Sequence, residues 1–176
     1  MERFLQIFKI PDLRKKIFAV VGLLIVFRLL AAIPIPGIDP IRLKEFFASS
    51  QLLGFLNIFS GGALSNLSIM MLGVGPYITS TIIMQLLTMI FPKLKQLYYE
   101  EGPVGRAKFN RWSRYLTVPL AALQSYGFLN LLISQGVLAP LSLINTVVNV
   151  LIVTASSLIL VWLGELISEY KIGNGI

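Results

Sequence analysis

The sequence predicts an all-α, polytopic membrane protein, a single membrane domain over 1–176. Four transmembrane helices are expected, with a short re-entrant plug helix and an N-terminal interfacial helix. Three observations carry this expectation. Of the 176 residues, 56% are hydrophobic and 13% charged, with a mean hydropathy of +0.80, whereas soluble domains carry about a quarter charged residues. The 15 Lys and Arg residues fall between apolar runs, the pattern of a membrane protein and not of a nucleic-acid binder. Cysteine and histidine are absent, which removes disulfides, thiolate chemistry and the commonest general base and metal ligand.

The elements follow in order. Residues 1–10, MERFLQIFKI, set Phe4, Leu5, Ile7 and Phe8 against Glu2, Arg3, Gln6 and Lys9. That mixture suits a short helix lying in the interface and stopped by Pro11, within a cytoplasmic segment 1–16. The first span is expected over 17–33, ended by Pro34, Pro36 and Gly37. It is long for a signal-peptide core, and Ile-Pro-Ile-Pro replaces the small-residue cleavage site. Residues 38–53 read as an external loop. A polar, charged cytoplasmic loop is expected over 93–114, with a turn at Gly102-Pro103. The third and fourth spans are placed over 115–133 and 144–163, and the tail is helical up to Tyr170.

The nearly uncharged stretch from 54 to 92 is too long for one crossing and is broken by glycines and Pro76. Twenty residues, 72–91, suffice for a span. The piece before them, 57–67, is too short to cross. Its Ser60, Gly61, Gly62, Ser65 and Asn66 leave polar groups that need partners at membrane depth, a condition met only beside protein or water. Broken elements of this kind line transport pathways. Two readings fit: a re-entrant plug beneath a cavity-lining helix, or an external loop packed on the bundle. On the spanning part, Val74 and Ile78 are four residues apart and share a helical face. Thr81 and Gln85 continue near it, giving an apolar upper end and a wetter lower one. An apolar constriction of that kind can gate by dewetting; ordinary helix packing would give the same spacing.

Orientation follows from the cations. Arg3, Lys9, Arg14, Lys15 and Lys16, then Lys93, Lys95, Arg106, Lys108, Arg111 and Arg114, and finally Lys171 fall on one side. Only Arg42 and Lys44 fall on the other. By the positive-inside rule both termini are cytoplasmic.

FSGGALSNLSIMMLGVGPYITSTIIMQLL resembles the plug and second transmembrane helix of the SecY family. IPIPGID, RYLTVPLAALQSYG and WLGELISEYKIGNGI fit the same family, in family order and over nearly the whole chain. The resemblance is to its N-terminal part, up to the fifth helix. It implies a protein-conducting channel of the bacterial-type plasma membrane, with a lateral gate toward lipid, and no enzyme activity. It assigns Val74 and Ile78 to the pore ring, and Asn57, Ser60, Gly61, Gly62, Ala63, Leu64, Ser65, Asn66 and Leu67 to the plug. Thr79 and Gln124 match lateral-gate positions. The implied partners are signal sequences and unfolded polypeptides, the remaining half of SecY, and SecE- and SecG-type subunits. A SecA motor or ribosome and the lipid bilayer complete the set. Val74 stands where isoleucine is usual, and Lys171 replaces a common glycine. The larger departure is length: a fifth helix and a second half are lacking, so a truncation, a split chain or a shortened natural protein is expected.

The remaining residues admit plainer readings. Arg28, inside the first span, either faces the bundle or snorkels to the interface. Glu165 and Glu169 read as a solvated helix end rather than a catalytic pair, because no acid–base partner accompanies them. The basic loop could meet RNA or anionic lipid, but topology alone explains its charge. Asn145 and Asn149 share a face and could bond across helices. No catalytic residue, cofactor or metal site is expected. Rival functions are a self-associating half-channel or insertase, and a non-translocating scaffold or transporter fragment.

Overall fold

The computed structural model describes residues 11–36, 67–136 and 138–170. Five α-helices follow in order among them: α1 (Pro11–Ala31), α2 (Gly75–Ile90), α3 (Pro92–Tyr99), α4 (Gly102–Ser134) and α5 (Leu143–Glu169). The interfacial helix expected over 1–10 and nearly all of the plug lie outside the described residues.

Proline stands in the first turn of four of these helices. Pro92 and Pro103 occupy the first turns of α3 and α4, and Pro76 that of α2, where a missing N–H costs nothing. Pro11 likewise stands at the start of α1. Ser142 caps α5, its side chain accepting from the Asn145 N–H.

Among the described residues α4 and α5 are each long and apolar enough to cross a membrane. The pair α2 and α3 passes only jointly, across a 114° bend at Phe91. α1 has 21 residues, about 31 Å at 1.5 Å per residue, but Arg14, Lys15 and Lys16 occupy its first turns and Arg28 its last.

Two expectations change. The second span was placed over 72–91, yet α2 begins only at Gly75 and has 16 residues. The delay has a local cause: Gly73 takes φ +57°, a left-handed conformation that cannot continue the interior of a right-handed helix. The segment read as a loop over 93–114 is also helical, forming α3 and the first turns of α4. The expected turn at Gly102-Pro103 is the short break between them, with Gly102 at φ +63°.

α4 organises the bundle. Its buried residues include Gly105, Phe109, Ser113, Thr117, Ala121, Ser125 and Leu129, each four positions after the last. Four residues of α-helix turn through about 400°, so such a stripe rotates about 40° per step. The buried face therefore winds around α4 and meets different neighbours along its length. Near its start, Phe109 packs with Met84 of α2 and Leu97 of α3, and the Tyr98 ring lies 4.7 Å from that of Phe109. Near its end, Leu129 and Leu132 pack with Leu67 and Leu138. Phe109 and Leu129 are about 30 Å apart along the axis, one hydrocarbon thickness.

Small residues let the backbones approach, as membrane helices require. α2 buries Pro76, Ser80, Met84 and Thr88, again every fourth residue. Ser80 Oγ donates to the Ser113 carbonyl of α4. At the α3–α4 elbow Gly105 is pressed so closely on Leu97 that an added Cβ would stand 2.0 Å from its carbonyl oxygen. α5 packs alongside α4, and in the first half of α4 Arg114 pairs with Glu165, near the end of α5, at 2.9 Å.

Candidate functional site

The residues assigned to a pore ring lie where α2 begins. The chain reaches that point through a series of turns rather than a helix. Residues 33–35 and 67–69 pair antiparallel: Ile35 N–H donates to the Leu67 carbonyl and Ile69 N–H to the Ile33 carbonyl, both at 3.0 Å. The IPIP sequence after α1 thus supplies two backbone bonds to the chain emerging from the expected plug. Leu67, at φ +37°, and Ser68 are fully buried there. Turns follow in sequence, with Met71 N–H donating to Ser68, Gly73 to Met70 and Gly75 to Leu72. In a membrane every such group needs a partner within the protein; this pairing provides it without helix.

Val74 caps α2 with φ −89° and ψ 2°, and its carbonyl accepts from the N–H groups of Tyr77 and Ile78. Val74 and Ile78 accordingly share a face. That face is the one turned from α4: Ile78 is 47% exposed, Ile82 51% and Leu86 53%, while the opposite stripe from Pro76 to Thr88 is buried. α2 therefore packs along one side and presents on the other an apolar side that no described helix covers. Its register against α4 is antiparallel, with Ser80 at Ser113 and Met84 at Phe109. Val74 and Ile78 consequently stand level with the middle third of α4.

Thr79 and Gln124, matched to the lateral gate, are both half-buried. Among the described residues no hydrogen bond joins them. Thr79 Oγ1 donates at 3.0 Å to the Gly75 carbonyl and Thr81 Oγ1 at 2.9 Å to the Tyr77 carbonyl, so both hydroxyls serve their own helix. Gln85, the polar end of the ring face, is exposed. Of the plug residues only Leu67 is described, buried beside Leu129, Leu132 and Leu138; Asn57, Ser60, Gly61, Gly62, Ala63, Leu64, Ser65 and Asn66 lie outside the described residues.

Several contacts escape sequence reasoning. Ser157 Oγ of α5 donates at 2.8 Å to the Gly73 carbonyl, 84 residues away. The run Thr154, Ser156 and Ser157 inside an apolar span was the available signal, since hydroxyls in such a helix seek partners on neighbours. Glu165, read as a solvated helix end, is instead held by Arg114. Asn149 is buried and Asn145 exposed, and with Pro36, Leu141 and Val148 they line a cavity of about 160 Å³.

The family model of SecY matches residues 68–176. The chain belongs to the SecY family. The protein translocase subunit SecY of Streptomyces griseus is 42% identical over 98% of this chain and 42% of its own length. The corresponding subunit of Corynebacterium glutamicum is 41% identical over 100% of the chain and 43% of its own. That of Borreliella burgdorferi is 39% identical, covering 99% and 41%. The chain spans about two fifths of the length of the curated relatives it matches. SecY proteins are multi-pass proteins of the plasma membrane and channel subunits rather than enzymes. The SecY match begins at Ser68, the residue that pairs with Pro34 at the head of the turns leading into α2.

Proposed function

We propose that this chain forms the N-terminal part of a protein-conducting channel, which passes unfolded secretory polypeptides across the membrane and releases transmembrane segments into it. The observation that carries this reading is the two-sided character of α2. One side is fixed to α4 through Ser80 and Met84; the other is an open apolar face that begins at Val74 and Ile78, midway along the bundle. An apolar ring at that height excludes water from a resting pore, because wetting a narrow hydrocarbon constriction is unfavourable. A segment at 57–67 would plug the ring from the external side. Thr79 and Gln124 would flank the gate through which an apolar signal helix displaces both.

The chain crosses four times, in α1, α2, α4 and α5, with both termini cytoplasmic. The cations at the start of α1 and along α3 and the first turns of α4 support that orientation. α2 presents its apolar face to the remaining half of SecY, which supplies the other side of ring and gate. SecE- and SecG-type subunits complete the complex, and a SecA motor or ribosome drives transport through regions beyond these helices.

The chain has no cysteine, which makes the test direct. Ile78→Cys is assembled with a second SecY half, and a secretory precursor carrying one cysteine is stalled in transit. A disulfide between Ile78→Cys and the precursor is expected only when the second half is present. No disulfide under any condition would remove Ile78 from the pathway and with it the channel reading.

A further inference from the structure

We infer that Ser157 is a positioning residue for the pore ring, a latch that fixes the start of α2 against α5. The Gly73 carbonyl is the backbone group immediately before Val74. In a continuous helix it would accept from the Tyr77 N–H four residues on. Here the Tyr77 N–H is given to Val74, and the left-handed φ of Gly73 (+57°) precedes a carbonyl that accepts from Ser157 Oγ at 2.8 Å instead. Ser157 is 1% exposed, so its hydroxyl is shielded from solvent. The turns on the other side of Gly73 are tied to residues 33–35 through Leu67 and Ile69. At its own level the ring residue Val74 is thus tethered to α5 by one side-chain hydrogen bond, while Ile78 and the exposed face below it touch no other described helix closely enough to bury them.

A single hydrogen bond of this kind is the right size for a gate. It is strong enough to bias a closed position and weak enough to be exchanged when an apolar guest arrives, whereas packing of the whole α2–α4 stripe would not yield. Ser157 affects sealing only through the ring proposed above, and the two ideas separate by experiment.

Ser157→Ala removes one oxygen and leaves the packing intact; Ser157→Thr keeps the hydroxyl. Both are made in the channel assembled with its second half, in lipid vesicles. Amide exchange at Gly73, Gly75, Tyr77 and Ile78 and ion leak through the resting channel are measured together, with Ile78→Asp as a reference for an open ring. In Ser157→Ala both exchange and leak are expected to rise about fivefold, the effect of one net hydrogen bond, and both return toward wild type in Ser157→Thr. Unchanged exchange in Ser157→Ala overturns the latch. Faster exchange without leak, while Ile78→Asp does leak, overturns its role in sealing. A tight Ile78→Asp channel would instead refute the ring itself.

Discussion

Gly105→Ala places a methyl group where α3 and α4 leave no room. Its Cβ would lie 2.0 Å from the Leu97 carbonyl oxygen, 2.6 Å from Glu101 Cβ and 3.1 Å from the Leu97 carbonyl carbon. Two of these three atoms are backbone, so relief requires the elbow itself to move. Overpacking of this kind costs about 1–3 kcal/mol, and a separation so far inside contact distance belongs at the upper end. Alanine offsets about 1 kcal/mol of that by its better helix propensity. The net destabilisation of the elbow is then about 2 kcal/mol, or about thirtyfold in the population of opened α3–α4. Trypsin reads that population when opening is fast relative to cleavage, with Lys95, Arg106 and Lys108 as sites flanking the elbow. Cleavage there should rise about thirtyfold in reconstituted protein. Gly127→Ala in the same helix, with open space around the added carbon, should be neutral or slightly stabilising. If Gly105→Ala were cleaved no faster than wild type, the close approach of the two helices would be wrong.

Further outcomes follow from the same packing. Phe109→Ala, at the centre of the cluster with Met84 and Leu97, should cost about 3–5 kcal/mol, measured as denaturant unfolding in detergent. Ser80→Ala removes the donor to the Ser113 carbonyl, which still accepts from Thr117 Oγ1 at 2.8 Å; a loss of only about 0.6–1 kcal/mol is expected in the same assay. Arg114 and Glu165 are 45% and 27% exposed in their side chains, so a double-mutant cycle with Arg114→Gln and Glu165→Gln should give a coupling of at most about 1 kcal/mol. That coupling should shrink as salt is raised.

How much of this was legible in the residues depends on how far apart the interacting groups lie. The C-terminal end of α4, both ends of α5 and the Gly102-Pro103 turn could be read directly, because apolar run length and turn chemistry are local. The face shared by Val74 and Ile78 follows from spacing alone. The helical character of 93–114 was hidden by its charge: the count of Lys93, Lys95, Arg106, Lys108, Arg111 and Arg114 bears on topology and says nothing about conformation. The signal was there in Leu94 and Leu97, then Phe109 and Ser113, at helical spacing. What no local pattern carries is the pairing of Ser157 with Gly73, of Ser80 with Ser113 and of Arg114 with Glu165. Each joins segments more than thirty residues apart, and each matters because the start of α2 is irregular or because two helices must be held in register. The delayed start of α2 is intermediate. A glycine at 73 permits a left-handed residue without requiring one; the turns around it and the bond from α5 lie in contacts that sequence does not show.

The winding stripe on α4 decides which parts of this bundle are free to move. A rod gripped along one straight seam can roll or slide against its partner with modest loss. A rod gripped on one flank at the bottom and on another at the top cannot do either without opening both grips together. α4 is held in that second way, by Phe109 at one end and by Leu129 and Leu132 at the other. It serves as the stator of the assembly. Among the described helices α2 is held differently, by one stripe against α4 and a single bond from α5 at its start, with its other flank bare.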